Sequence, residues 1–252
     1  MPEFGFKRFS VSHGQSTMKV GTDAVLLGAW ADLPHDCSDA GAVKVLEIGC
    51  GCGIISLMLA QRLQEEAGSE NFRITALDIH APSCEEARHN VQQSPWHTQI
   101  RVENTDYLQY PETEKFHLIV SNPPFFSESL KSPEAARNLA RHNDTLPLDA
   151  LLRKSERLLN QEGRLAMILP LSAFEKLQAL VPETAPLLRL ERLTRMYSKP
   201  GKPCERVLCA WRKTHSESEA ESPQETTLFI CNAQGVYTEE YRRLVRDFYL
   251  WA

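Results

Sequence analysis

The sequence predicts an α/β fold, a mostly parallel sheet with helices on both faces. Three observations carry this expectation. Short β-branched runs recur along the chain, stretches of helical length separate them, and a cluster of glycines sits where the first such strand meets the next helix. At 252 residues, 42% of them hydrophobic, the chain has material for one large domain or one domain with appendages, since a domain takes about 100–200 residues. Collagen-like, coiled-coil and wholly disordered organisations are excluded by this composition.

In chain order, residues 43–48 (VKVLEI), 73–77 (RITAL), 100–103, 116–121 (FHLIVS) and 164–169 (RLAMIL) are runs of strand length. Helices are expected over 54–67, 82–93 and 148–160. Parallel strands in such an alternation are buried on both faces, and the ligand crevice opens at their carboxyl ends. Two regions depart from the pattern. Residues 1–40 form an N-terminal extension, in which the run GFKRFSVSHGQSTMKVGTD precedes a helix-length apolar stretch, AVLLGAWADL. Residues 214–226 (THSESEAESPQET) are acidic and poor in apolar side chains, the pattern of a surface loop. A strand over 227–231 and an amphipathic segment over 238–250, with Tyr241, Leu244, Val245 and Phe248 at helical spacing, complete the main domain, 41–252.

The segment MPEFGFKRFS has no unbroken apolar core and no run of about 18 apolar residues occurs, so neither a secretory signal nor a membrane span is expected, and no membrane partner. Seven cysteines (Cys37, Cys50, Cys52, Cys84, Cys204, Cys209, Cys231) form no CxxC pair and no zinc-spaced cluster. Free thiols, a cytoplasmic location and no metal are the expectation. With no exposed apolar stripe evident, so is a monomer. The formal charge is −5, yet Arg189, Arg192, Arg195, Lys199, Lys202, Arg206, Arg212 and Lys213 face only Glu191 and Glu205 in one stretch. That stretch reads as a phosphate-facing strip or as the solvated edge of a sheet.

Residues 45–53 read VLEIGCGCG and lead straight into IISLMLAQRL. Closely spaced glycines at a helix N-terminus let a ligand approach the backbone. A dinucleotide fingerprint would want Gly or Ala where Ile54 stands, which disfavours a nicotinamide oxidoreductase. Glu47, just ahead of Gly49, Gly51 and Gly53, repels pyrophosphate but suits a ligand with an amino group or a positive charge. Asp78 ends the second strand, where it could accept from both hydroxyls of a ribose. After the third strand, Asp106 with Tyr107 could pair with the exocyclic amine of an adenine and cover its face. Together these describe a pocket for an adenosine with an amino-acid tail. Cys50 and Cys52, between the glycines, read as small buried side chains.

The ExGxGxG turn, the acidic end of strand two and the Asp after strand three resemble the class I S-adenosylmethionine-dependent methyltransferases over roughly residues 41–212. The resemblance implies a Rossmann-like fold with a seven-stranded, mostly parallel sheet, a short N-terminal extension and an added C-terminal strand and helix. It implies S-adenosyl-L-methionine as cofactor.

Residues 116–126 read FHLIVSNPPFF, a buried strand that ends in Asn122, Pro123, Pro124 and Phe125. Two prolines fix two φ angles and remove two donors, so the chain leaves the sheet along a rigid path. The side-chain oxygen of Asn122 and the carbonyl of Pro123 could hold the two hydrogens of a planar amino nitrogen as a new bond forms on it. Phe125 could stack on the flat group that carries it. This tetrapeptide resembles the [DNS]-PP-[FYW] motif of the amino-methyltransferases, which modify adenine N6, guanine N2, cytosine N4 or a protein glutamine.

The glutamine-modifying branch typically carries Tyr at the fourth position and a helical N-terminal domain, where this chain has Phe125 and about forty preceding residues. The run FKRFSVSHGQSTMKVGTDAVLLGAW, NPPFF and the C-terminal YRRLVRDFYL resemble instead, close to full length, the bacterial tRNA adenine-N6 methyltransferases that act on adenosine 37 of a valine tRNA. The resemblance implies an anticodon stem-loop as partner, with its target base splayed out. It places Lys19, Gly21 and Thr22, with Asp23, near the cofactor, although Thr22 or Asp23 would serve equally as a helix cap. Lys7, Arg8, Lys19, Arg137, Arg141 and His142 join the basic strip as candidate phosphate contacts. Methylation of guanine N2 or adenine N6 in ribosomal RNA or DNA, and a non-catalytic RNA-binding module, remain alternatives.

Overall fold

Eight strands build the main sheet in a computed structural model that describes residues 3–16, 19–34, 41–65, 71–123, 146–216 and 222–252. The chain opens with a hairpin, β1 (Glu3–Gly5) against β2 (Ser10–Ser12), and continues into α1 (Thr22–Trp30). The alternation follows: β3 (Val43–Ile48), α2 (Ile54–Glu65), β4 (Phe72–Asp78), α3 (Ala81–Gln92), β5 (Ile100–Asn104), a 3-10 turn (Tyr107–Gln109) and β6 (Phe116–Ser121). Then come α4 (Leu148–Leu158), β7 (Leu159–Pro170), α5 (Leu171–Thr184), β8 (Leu188–Tyr197), β9 (Arg206–Lys213), β10 (Gln224–Phe229) and α6 (Glu239–Val245). The strand order is β10-β8-β9-β7-β6-β3-β4-β5, and β9 alone runs antiparallel to its neighbours. These are the expected seven strands with β10 added at the edge.

Alternation along each strand divides the interior in two. Val43 and Val45 of β3, Leu118 and Val120 of β6, and Ala166 and Ile168 of β7 face a core shared with α1, α2 and α6. Leu46, Ile48, Ile119, Leu165, Met167 and Leu169 face the other, shared with α4 and α5. Successive side chains point to opposite faces of a strand, so a run of apolar residues feeds both cores at once. The N-terminal residues Phe6, Phe9 and Val11 join the first core, with Phe6 and Phe9 stacked 4.8 Å apart.

Some boundaries differ from expectation. The helix expected over 148–160 stops at Leu158 and passes without a loop into β7, whose first pairing, Leu159 with Phe116, precedes an irregularity before Leu118 pairs with Arg164. Glu162 takes a φ of 63° there, which local apolar patterning does not reveal. β10 begins at Gln224, inside the expected acidic loop, because it pairs in parallel with β8 from Arg192 onward. The C-terminal helix ends at Val245, though Phe248 and Tyr249 beyond it are buried. Its start is set by Thr238, whose hydroxyl accepts the Tyr241 N–H at 3.2 Å.

Candidate active site

The sheet reverses its strand order between β3 and β6, and register brings the motif residues together at that point. Ile48 pairs with Leu77 on one side and with Ser121 on the other. Gly49, Asp78 and Asn122 therefore follow one another across three adjacent parallel strands, separated by roughly 5 Å per strand. The Ser121 hydroxyl donates to the Ile48 carbonyl at 2.9 Å and locks the two strand ends. A topological switch point of this kind is where open α/β sheets hold ligands.

All three glycines of the turn have positive φ: 73° at Gly49, 53° at Gly51 and 81° at Gly53. Their surroundings differ. A Cβ at Gly49 or Gly51 would meet no described residue within 4 Å, so the turn is open there among the described residues. A Cβ at Gly53 would come within 3.3 Å of the Ala87 Cβ, so this glycine admits α3 instead. Cys50 and Cys52 are buried, and burial pushes the Cys52 thiol up to about 12, which keeps it protonated.

Glu47 is buried beneath the turn. Its Oε2 accepts the N–H of Ser56 at 2.9 Å and also the Ser56 hydroxyl, while Oε1 has no partner among the described residues. Burial, first, and the nearby charge of Asp78 push its pKa up to about 8 against the opposing hydrogen bonds from Ser56. Asp78 wires β4 to the turn: Oδ2 accepts the Gly51 N–H and Oδ1 the His80 N–H, both at 2.8 Å. Each oxygen keeps acceptor capacity for a further donor. Asp106 caps the 3-10 turn through the Leu108 N–H at 2.8 Å.

Tyr107 does not cover the crevice. It is buried in the second core, its hydroxyl 2.9 Å from that of Ser155 and the Lys154 ammonium 5.5 Å from its ring. The exposed apolar side chains beside the two acids are Ile79, 52% exposed, and Leu108, 40% exposed. A β-branched residue directly after Asp78, outside the strand, was the signal available for the first.

The N-terminal extension docks beside the glycine turn. Asn90 on α3 donates to the carbonyls of Ser12 and Cys52 at 2.8 and 2.9 Å and accepts the Ser12 N–H. Glu86, also on α3, holds residues 14–16. Further on, Asp23 pairs with Arg206 at 3.0 Å, so Lys19, Gly21 and Thr22 lie between an anchor on α3 and one at the start of β9. Neither Thr22 nor Asp23 caps α1; Gly21 occupies that position with no side-chain bond. Asn122 and Pro123 are described and partly exposed, whereas Pro124, Phe125, Arg137, Arg141 and His142 lie outside the described residues.

The basic stretch is not a continuous strip. Arg192 pairs with Asp32 and covers Trp30, Arg212 reaches Glu162 and Glu191, and Lys213 donates to the carbonyls of Glu156 and Leu159. Arg8 pairs with Glu65, and Lys7 donates to carbonyls at the C-terminal end of the chain. Lys199 and Lys202 stand on the exposed turn between β8 and β9 with no acidic partner among the described residues. No helix among the described residues is long and apolar enough to cross a membrane.

The arrangement fits an adenosyl cofactor with a cationic tail: an open glycine cradle, an unpaired buried acceptor on Glu47, acids closing two strands and apolar walls next to them. Comparison with known proteins agrees. A predicted O-methyltransferase from Agrobacterium tumefaciens shares the fold with a TM-score of 0.63 at 16% identity, over 90% of this chain and 96% of that one. The family model for the methyltransferase small domain matches residues 31–182. A tRNA1(Val) (adenine(37)-N6)-methyltransferase of Phocaeicola vulgatus is 42% identical over 99% of this chain and 98% of its own length. One of Yersinia enterocolitica is 36% identical over 98% and 92%. The chain belongs to the methyltransferase small domain family, on the branch of the tRNA1(Val) (adenine(37)-N6)-methyltransferases.

Proposed function

We propose that this chain transfers a methyl group from S-adenosyl-L-methionine to the N6 nitrogen of adenosine 37 in tRNA1(Val). The observation that carries the reading is the register that sets Asn122 beside the glycine turn, Ser121 being paired with Ile48. The cofactor, when bound, supplies a methyl group on a sulfonium, already activated for displacement. Gly49 and Gly51 leave room for its amino-acid tail, and the free oxygen of Glu47 supplies an acceptor for its positive charge. Asp78 takes the ribose hydroxyls and Asp106 the adenine amine, with the exposed Ile79 and Leu108 as the apolar walls of the adenine site. Lys19, Gly21 and Thr22 close the crevice from the extension.

The target nitrogen shares its lone pair with the purine ring, so no strong base has to remove a proton before attack. Asn122, through its side-chain oxygen, and Pro123, through its carbonyl, accept the two N6 hydrogens and favour the pyramidal geometry of the transition state. Pro123 and Pro124 make that pair rigid, and Phe125 stacks on the target base. The N6–CH3 bond would form as the S–CH3 bond breaks, the cofactor leaving as a neutral thioether and the surplus N6 proton passing to water after transfer, and in-line positioning carries much of the remaining rate. The chain acts as a cytoplasmic enzyme on the anticodon stem-loop.

The test is incubation with methyl-labelled S-adenosylmethionine and, separately, tRNA, ribosomal RNA and DNA from a strain lacking the enzyme. N6-methyladenosine at position 37 of tRNA1(Val) is expected. Label in ribosomal RNA, DNA or protein instead would overturn the substrate, and no label anywhere would leave an RNA-binding module.

A further inference from the structure

Large hydrophobic side chains left exposed among the described residues fall in two places. Ile79 and Leu108 flank the cofactor crevice, whereas Val236, Tyr237, Leu250 and Trp251 gather in the C-terminal segment, where the chemistry above gives them no role. Trp251 stacks on Tyr237, with centroids 4.7 Å and planes 18° apart, and on Tyr249 at 5.0 Å and 21°, yet Tyr237 and Trp251 remain 42% and 45% exposed. Tyr237 also lines a cavity of about 240 Å³ with Tyr197, Tyr241, Thr22, Asp23 and Arg206.

This patch stands on the same edge of the sheet as Asn122. Tyr197 closes β8, and Arg206 opens the antiparallel β9 opposite Pro170, the last residue of β7. From β6 to β8 is three strand spacings, roughly 14 Å. That is about four nucleotides at the stacked rise of roughly 3.4 Å. Lys199 and Lys202, with no acidic partner among the described residues, lie on the adjoining turn: the Ser198 carbonyl accepts the Cys231 N–H at 3.0 Å, and Cys231 bridges to Tyr237. Arg242 adds a guanidinium 6.0 Å from the Trp251 ring. Exposed aromatic rings beside cations complement a single-stranded nucleic acid, which offers stacking bases on a phosphate backbone.

We propose that Tyr237 and Trp251 form a stacking platform for an unpaired base of the RNA substrate a few nucleotides from the methylated adenosine, with Lys199 and Lys202 on the flanking phosphates. The proposal rests on the tRNA reading of the active site. The platform holds the loop open and in register while the target base enters beside Asn122. It tolerates any base, since every base has a π face, so it supplies affinity and spacing more than sequence discrimination.

The experiment uses the full chain and unmodified tRNA1(Val). Trp30, Trp96 and Trp211 are buried, so Trp251 emission is the part accessible to quenching by bound RNA. Quenching by RNA is expected in the wild type and absent from Trp251→Phe. Trp251→Ala and Tyr237→Ala are expected to raise KM for tRNA about tenfold or more, with kcat within about twofold and S-adenosylmethionine affinity unchanged. Lys199→Gln with Lys202→Gln should flatten the dependence of tRNA affinity on log salt by about one unit per charge. A wild type that methylates tRNA while both aromatic variants keep its KM sinks the platform alone. A wild type that methylates no RNA sinks the functional reading with it. Sedimentation showing that Trp251→Ala dissociates a dimer would reassign the patch to self-association and overturn the proposal.

Discussion

Glu86 binds Ser16 twice: its Oε2 accepts the Ser16 backbone N–H at 2.8 Å and the Ser16 hydroxyl, while Oε1 accepts the N–H groups of Gly14 and Gln15 at 2.6 and 3.0 Å. One carboxylate on α3 thus fixes the loop ahead of Lys19, Gly21 and Thr22. Burial opposes ionisation of Glu86, but the four donors together outweigh it and hold its pKa below the ordinary 4.5. A carboxylate lowered in the folded state contributes stability above 4.5 and loses it as pH falls through the folded value. Glu86→Gln should cost about 2 kcal/mol at pH 7 and weaken S-adenosylmethionine binding through the unpinned extension. Urea denaturation at pH 7 and at pH 4 checks this: the gap from wild type should narrow at the lower pH, and an equal gap would show that the charge is not what holds the loop.

Asn122→Ala should lower kcat by about 10²–10³, the cost of losing one oriented transition-state group. Its cofactor dissociation constant should stay near that of the wild type, because Glu47, Asp78 and the glycines are untouched. Titration of the variant by calorimetry decides the point: loss of cofactor binding together with turnover would make Asn122 a structural part of the crevice.

What could be read without coordinates was what depends on near neighbours. β3 and β6 begin and end where their apolar runs do, and the ExGxGxG turn combines strand end, positive φ and helix start within a few residues. β8 and β9 were hidden, since RLERLTRMY alternates charge with apolar residues and reads equally as a basic surface. Contacts over long separations were invisible for a different reason. Glu86 with residues 14–16, Asn90 with Cys52, and Asp23 with Arg206 join segments that only the folded sheet brings together. Tyr107, expected over an adenine, is aimed into the core by the direction of the 3-10 turn, which local sequence does not reveal.

With Glu47 at the cationic end of the proposed cofactor site, cofactor binding should depend on pH. The pKa of Glu47, about 8, leaves most of it protonated near neutrality in the ligand-free chain, whereas a cationic ligand favours the ionised form. Affinity for S-adenosylmethionine should therefore rise with pH up to about 8 and level off above it, and binding near pH 7 should release a proton. Glu47→Gln should abolish this slope. Calorimetry in buffers of different ionisation enthalpy reads the released proton directly, and a flat wild-type profile would remove Glu47 from the cationic end of the site. The raised pKa also means that the ligand-free fold gains stability as pH falls from about 8 toward 4.5.

Ile79→Ala and Leu108→Ala separate the walls of the adenine site from the supports of the fold. Both side chains are largely exposed in the free chain, so truncation should change stability by no more than about 0.5 kcal/mol. Each loses apolar surface that a bound adenine would cover, at least about 1 kcal/mol, which raises the cofactor dissociation constant roughly five- to tenfold. Tyr107→Phe makes the opposite trade. It deletes the hydrogen bond to Ser155 in the core and should cost about 1 kcal/mol of stability while cofactor affinity holds. Denaturation and cofactor titration of the three variants would show whether Ile79 and Leu108 line the ligand, and a Tyr107→Phe variant that binds weakly at full stability would return that role to Tyr107.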